Sequence, residues 1–314
     1  MHLALHLLGP PKLDLDNAPI PIDRRKTLAL LAYLALNRGS HTRDFLSSLL
    51  WPNYDQAKAF TNLRHTLWET QQTIGEGWIV ADRETIALNV DASTGRILWL
   101  DVATFESLIT ESRTQADVSL RIPPLSDSVK LYRNHFLTGF SLKDAPSFTE
   151  WAFAESENLR RKFASALSLL SDDHCSLGQA ETAIPYARRL VALDPLNEAA
   201  HCRLMQVYIQ AGEYNAALKQ YQACEKILRK ELGIDPQPET RALYKQIRKG
   251  EFKPIQLVTQ NVTGAPQHNL PLQLKLFFHT PLIRCIRNEC HTGSGHSRAK
   301  RAKHRTVINR LRRW

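Results

Sequence analysis

A chain of 314 residues with a hydrophobic fraction of 43% is long enough for two domains and ordinary for a globular protein, and no apolar run in it approaches the roughly 18 residues that suggest a membrane span. Its net charge of +10 points toward nucleic acid, but residues 1–100 hold ten basic and ten acidic side chains, residues 101–253 hold twenty of each, and residues 254–314 hold eleven basic residues against Glu289 alone. The excess therefore describes the end of the chain, and a generally basic nucleic-acid-binding body is excluded.

Residues 2–8 and 12–16 alternate as short strands, and Pro19–Ile22 reads as an edge strand, where proline is tolerated. From Asp23 the period becomes helical: Leu28, Leu31, Leu34 and Leu36 recur among alanines, and Asn37-Arg38-Gly39 closes the stretch. A second helix is expected from about Thr42, its candidate N-cap, to Leu50, before Trp51-Pro52-Asn53 breaks the chain. A third is expected from Asp55 to Thr73, with Phe60, Leu63, Leu67 and Ile74 on one stripe and Gly75 and Gly77 ending it. Residues 78–90 then read strand, turn, strand, with the polar turn at Asp82-Arg83-Glu84. Strands, three helices and a terminal hairpin are the order of a winged helix, whose third helix enters the major groove.

From Asp101 to about Lys249 the pattern is helical. A long helix around Phe148–Asp172 is marked by Trp151, Leu159, Phe163, Leu167 and Leu170, and helices follow near 181–193, 197–211, 215–232 and 237–248. Within this half Gly178 and Gly212 lie 34 residues apart, as do Ala183 and Ala217. That period is the length of a tetratricopeptide hairpin. Leu204, Tyr208, Gly212, Tyr214, Ala217 and Tyr221 fill one unit, and Gly178, Ala183, Leu190 and Pro195 mark the other. Glycine permits the tight turn, and alanine lets helix axes approach closely. Tyr208, Tyr214 and Tyr221 are expected in the core, with Gln206, Gln210 and Lys219 exposed.

Repeats of this kind hold peptides or other domains and carry no chemistry of their own, which points away from an enzyme. There is no phosphate-binding G-x-x-x-x-G-K-[ST] loop and no G-x-S-x-G elbow. Asp172-Asp173-His174-Cys175 invites a metal reading, but it ends a predicted helix, and no cofactor or metal is expected. The scattered cysteines (Cys175, Cys202, Cys224, Cys285 and Cys290) and an opening segment without the plan of a signal peptide lead to the expectation of a cytoplasmic protein with reduced thiols.

The run Ala187-Arg-Arg-Leu-Val-Ala-Leu-Asp-Pro-Leu-Asn-Glu-Ala-Ala-His201 with Leu204-Met205 resembles the bacterial transcriptional activator domain of SARP-type regulators, and so does Glu231-Leu-Gly-Ile-Asp-Pro-Gln-Pro-Glu-Thr240 with Leu243-Tyr244. Asp101-Val-Ala-Thr-Phe105, Leu131-Tyr132, Phe136-Leu137 and Phe148-Thr-Glu-Trp151 resemble its earlier segments. Leu7-Leu8-Gly9, Arg25-Lys26, Leu49-Leu50-Trp51-Pro52 and Asn62-Leu63-Arg64 are similar to the winged helix of the same regulators. The resemblance covers about residues 1–248. It implies a mainly α protein: a winged helix-turn-helix of OmpR/PhoB type over 1–98, then an all-α, TPR-like activator domain over 99–249, with linker and basic tail over 250–314. It also implies a transcription activator that binds directly repeated promoter DNA, contacts RNA polymerase or another protein through its helical domain, and can form a homodimer.

If the third helix reads DNA, the side opposite its stripe carries Lys58, Thr61, Asn62, His65 and Glu69. Asn62 has the amide that suits adenine, and Lys58 and His65 suit a phosphate or a guanine edge. Arg64 lies beside the stripe, in reach of an acid or a phosphate, and Arg83 sits at the wing tip for backbone or minor-groove contact. A solvated helix face and an ordinary turn arginine account for the same residues without DNA. Arg24-Arg25-Lys26, Arg38 and Arg43 are the local cations expected to compensate for a neutral domain.

His268-Asn-Leu-Pro-Leu-Gln-Leu274 resembles the linker that leads into an ATPase module in larger members of the family, and the chain departs from that pattern after Leu274. A frameshifted or truncated end of a longer regulator is one reading. Others are a disordered basic tract from Arg298 to Arg305, with Arg310, Arg312 and Arg313, that adds DNA affinity, and a zinc set of Cys285, Cys290, His291 and His296. Two further functions stay open: a scaffold that holds a protein without touching DNA, and the remnant of an ATP-dependent regulator.

Overall fold

The computed structural model describes residues 1–21, 24–90 and 95–250. The linker-like stretch, the basic tract and the cysteine–histidine set after residue 250 lie outside the described residues. Alternation at the N-terminus produces β1 (His2–His6), β2 (Lys12–Leu15) and β3 (Ala18–Ile20). Asp16 and Asn17 join β2 to β3 with φ of 49° and 68°, the left-handed pair that a two-residue hairpin needs and that Asp and Asn tolerate. The sheet order is β3-β2-β1-β7. β7 (Ile97–Leu100) was not apparent from the sequence; it pairs parallel to β1, with Leu3 opposite Leu98.

Between β3 and β7 lies the winged helix. In α1 (Arg25–Leu36) every residue from Thr27 to Ala35 is buried, so its leucine–alanine composition reflects burial on all sides. Thr42 caps α2 (Arg43–Leu50) by accepting from the Phe45 amide at 3.2 Å. Asp55 caps α3 (Gln56–Ile74) in the same way through the Lys58 amide at 3.0 Å. The buried stripe of α3 is Ala59, Leu63, Thr66, Leu67, Thr70 and Ile74; Phe60, expected in it, lies at its edge and is only partly buried. The wing is β5 (Ile79–Ala81) and β6 (Thr85–Leu88), joined to the short β4 (His41–Thr42) in the order β4-β6-β5.

Among the described residues seven helices follow: α4 (Asp101–Thr114), α5 (Val118–Leu131), α6 (Pro146–Ser176), α7 (Ala180–Leu193), α8 (Glu198–Gln210), α9 (Tyr214–Leu232) and α10 (Pro238–Lys249). Each packs on the next along the chain. Gly178 and Gly212 turn α6 into α7 and α8 into α9 with φ of 72° and 76°, a conformation that costs a side-chain-bearing residue about 1–2 kcal/mol. Ala183 and Ala217 are fully buried five residues later, and Tyr208 and Tyr221 are core. Tyr214 departs from expectation at 44% exposed, because as the first residue of α9 it precedes the turn of helix that enters the crossing. The fold is mainly α, a winged helix followed by a TPR-like helical region.

The core does not divide where the two halves meet. One hydrophobic cluster runs from Leu3 through Leu67, Leu100 and Phe105 to Leu170, and a second joins α7 to α10 around Ala187, Met205, Tyr221 and Ile247. Asp101 holds the junction. It is 1% exposed, and its carboxylate accepts from the amides of Leu7 (2.8 Å), Leu8 (2.9 Å) and Val102 (2.9 Å), with Arg133 Nη2 at 3.5 Å. The same stretch of chain is tied a second time: the Leu137 and Thr138 amides donate to the Leu7 and Gly9 carbonyls at 2.9 and 3.1 Å.

Candidate nucleic-acid interface

Capping at Asp55 and the buried stripe fix which side of α3 meets solvent. Thr61, His65 and Trp68, spaced i, i+4 and i+7, share that face, flanked by Lys58 and Arg64, and all five are exposed. Trp68 is 58% exposed and its ring lies 6.0 Å from that of His65. The Lys58 ammonium sits 4.6 Å above the Tyr54 ring, a cation–π contact that steadies a long side chain without removing its charge. Arg64 donates to Thr61 Oγ1 at 3.2 Å, not to an acid.

Asn62 and Glu69 lie elsewhere. Asn62 is half-buried and faces a cleft, while the Glu69 side chain is 12% exposed, paired with Arg24 and in reach of His65 Nδ1 at 2.9 Å. Arg83 is exposed at the tip between β5 and β6. Beneath it the Asp82 carboxylate accepts from the Glu84 amide (2.7 Å), the Thr85 amide (2.6 Å) and the Thr85 hydroxyl (2.9 Å). These bonds hold the Asp82 carboxyl below its usual range, the Thr85 amide first among them. Arg43 Nε donates to the Asp82 carbonyl at 2.8 Å, so this arginine braces the wing.

The cations expected to offset the neutral domain are mostly committed inside the protein. Arg24 is paired with Glu69, and Lys26 is held by Asp144 at 3.0 Å, the Leu50 carbonyl and the Trp51 ring. Arg25 donates through Nε to the Ser141 carbonyl at 3.1 Å and lies over the Phe140 ring. Together with Asn62, His65 and the 141–144 loop, these residues line a cleft of about 610 Å³ between the start of α1, α3 and the helical half. Two side chains here escaped the sequence reading. Trp68 carried a signal, its spacing from Thr61 and His65; Lys143 carried none, because its position depends on how the helical half docks.

At the metal candidate, each side chain is engaged within the fold. Asp172 pairs with Arg203, and Asp173 accepts from Arg121 Nε at 2.8 Å. His174 shares a hydrogen bond of 2.8 Å with Gln179 and stacks on Tyr186. Burial pushes the Cys175 thiol up to about 11. Among the described residues no group of three or more His, Cys, Asp and Glu side chains is placed to hold a metal ion, and no helix is long and apolar enough to cross a membrane.

Known proteins place this architecture. Residues 100–248 match the model of the bacterial transcriptional activator domain. The transcriptional regulatory protein MoaR1 of Mycobacterium tuberculosis is 24% identical over 77% of this chain and 78% of its own length. The transcriptional regulatory protein EmbR of the same organism is 25% identical over 77% of this chain and 62% of its own. The solved structure of Mycobacterium tuberculosis EmbR in complex with a low-affinity phosphopeptide aligns with a TM-score of 0.63 at 22% identity, over 80% of this chain and 66% of that one. The helices from α4 to α10 thus match a bacterial transcriptional activator domain, and over about three quarters of its length the chain is similar to bacterial transcriptional regulatory proteins.

Proposed function

We propose that this regulator is an activator that binds promoter DNA by inserting α3 into the major groove, with the wing of β5 and β6 on the adjacent backbone. The observation that carries this is the face of α3: Lys58, Thr61, Arg64, His65 and Trp68 are exposed together while the opposite face is buried. An exposed polar face with an aromatic at its C-terminal end suits base edges and backbone. Asn62 and Arg83 act at the margins, Asn62 from the cleft and Arg83 from the wing tip. In this scheme residues 1–98 are the DNA-binding domain, 99–249 hold a protein partner (RNA polymerase or a second copy of the chain), and 250–314 are an appended tail. Directly repeated sites, a cytoplasmic location and the absence of enzymatic chemistry belong to the same proposal.

Mapping bound sites across a genome, followed by retardation of the recovered fragments at low salt, tests it. Binding lost on charge reversal at Lys58 and Arg64, with the fold intact, supports DNA reading. A chain that binds no DNA at low salt is the scaffold of the second reading, which the internal pairing of Arg24 and Lys26 favours.

A further inference from the structure

Most DNA affinity comes from cations that displace counterions from phosphates, and residues 1–253 have no net charge to spend on it. Which cations remain uncommitted beside α3 therefore matters more than how many exist. In the cleft, Arg24 neutralises Glu69 and Lys26 neutralises Asp144. Two positive groups are left at its rim. Lys143 is exposed, and no carboxylate among the described residues pairs with it; Arg25 is exposed and commits only its Nε, to Ser141. That bond, together with the Phe140 ring 5.3 Å from the guanidinium carbon, fixes Arg25 on the loop that carries Lys143. One cation comes from the winged helix and the other from the helical half.

The cleft also has the right place. An α-helix with its side chains is roughly 10–12 Å across and the major groove about 12 Å wide. A helix seated there meets base edges with its exposed face and the sugar–phosphate walls with its flanks. Asn62 and His65 mark the flank of α3 that lines the cleft. We infer that this cleft receives a backbone phosphate of the bound DNA between Arg25 and Lys143, so that the activator domain itself supplies part of the DNA contact. This rests on α3 reading DNA as proposed above.

The test uses the full chain and a mixed-sequence DNA duplex, with affinity followed across a salt series by fluorescence anisotropy. Lys143→Ala should make the slope of log K against log salt shallower by about 0.9 and weaken binding about eightfold at 0.1 M salt. Arg25→Gln should do the same, and the double variant should lose two contacts, while Lys219→Ala on α9 should match the wild type. Melting temperatures confirm folding; Lys143 has no partner among the described residues, so its removal leaves them unchanged. An unaltered slope in Lys143→Ala, with wild type binding, overturns this inference and leaves the proposed function standing. Failure of the wild type to bind sinks both. Inorganic phosphate distinguishes the source: if it raises the melting temperature of wild type but not of Lys143→Ala, and the DNA slope is unaltered, the cleft serves a free phosphate-bearing ligand and the DNA assignment falls.

Discussion

Replacing Asp101 with alanine probes the junction between the halves. The carboxylate is the acceptor for the amides of Leu7 and Leu8, both residues fully buried, and alanine leaves both donors without a partner. Each buried donor left unsatisfied costs about 1–3 kcal/mol. A further few tenths to 1 kcal/mol goes with the acidic residue in the first turn of α4. Against this, removing a carboxylate held out of water recovers part of its desolvation cost, and Arg133, at 40% side-chain exposure, can return to solvent. The net expectation is about 3 kcal/mol. In a protein of this size each kcal/mol lowers the melting temperature by roughly 2–4 °C, giving a fall of about 6–12 °C. Circular dichroism or calorimetric melting measures it directly. A fall of less than about 2 °C would show that the β1 end is held by its other bonds and that Asp101 is no clamp.

Burial, opposed by the Leu7 and Leu8 amides, raises the Asp101 carboxyl above its usual value. A raised folded-state value contributes stability that is present below the ordinary carboxylate range and lost as pH rises through it, so the melting temperature of Asp101→Asn should fall less than that of wild type between the ordinary carboxylate value and neutrality; parallel profiles would refute this. The Cys224 thiol is pushed up to about 12, burial being the largest cause, and should resist alkylation at pH 8 in the native protein and react once unfolded, with rapid native labelling in a mass-spectrometric assay as the contrary result. Trp68→Ala should leave stability within about 0.5 kcal/mol of wild type, since the ring is 58% exposed, yet weaken DNA binding about tenfold, ~1.4 kcal/mol. Equal affinity by anisotropy removes Trp68 from the interface.

What the sequence made legible follows from how local each cause is. Gly178 and Gly212 could be read because a left-handed turn is a property of one residue, and Ala183 and Ala217 because a tight helix crossing admits little else. Thr42 and the strand–turn–strand of the wing were equally local. β7 was not, because a parallel partner leaves no hairpin signature: Ile97 to Leu100 pair with β1 from the other end of the winged helix. α5 was blurred by Pro123 and Pro124, which the helix accommodates between Val118 and Leu131. At the site, Lys58, Thr61 and His65 could be placed on the open face of α3 by periodicity alone, whereas Arg64, expected beside the stripe, is exposed with them. Asn62 could not, because its surroundings come from the start of α1 and the 141–144 loop. Arg24 and Lys26 misled for the same reason, since their partners Glu69 and Asp144 are distant in sequence.

The undivided core bears on how such a regulator can be switched. A two-domain activator with a free hinge can be controlled by reorienting its DNA reader. Here Leu7, Leu8 and Gly9 are held by Asp101, Leu137 and Thr138, and hydrophobic packing runs unbroken from Leu3 to Leu170. A partner that turned the winged helix would have to compensate for the loss of those bonds and of the shared packing. Driving such a change from 1:99 to 99:1 takes about 5.5 kcal/mol of differential binding even before that loss is counted. A partner that binds the helical half without disturbing the junction needs none of it. Combined with Lys143 beside α3, this favours a regulator whose two halves meet DNA as one rigid surface. On the proposed function its helical repeats would gain their effect by bringing a second protein to that surface, and a stability defect at Asp101 should weaken DNA binding as well as the fold.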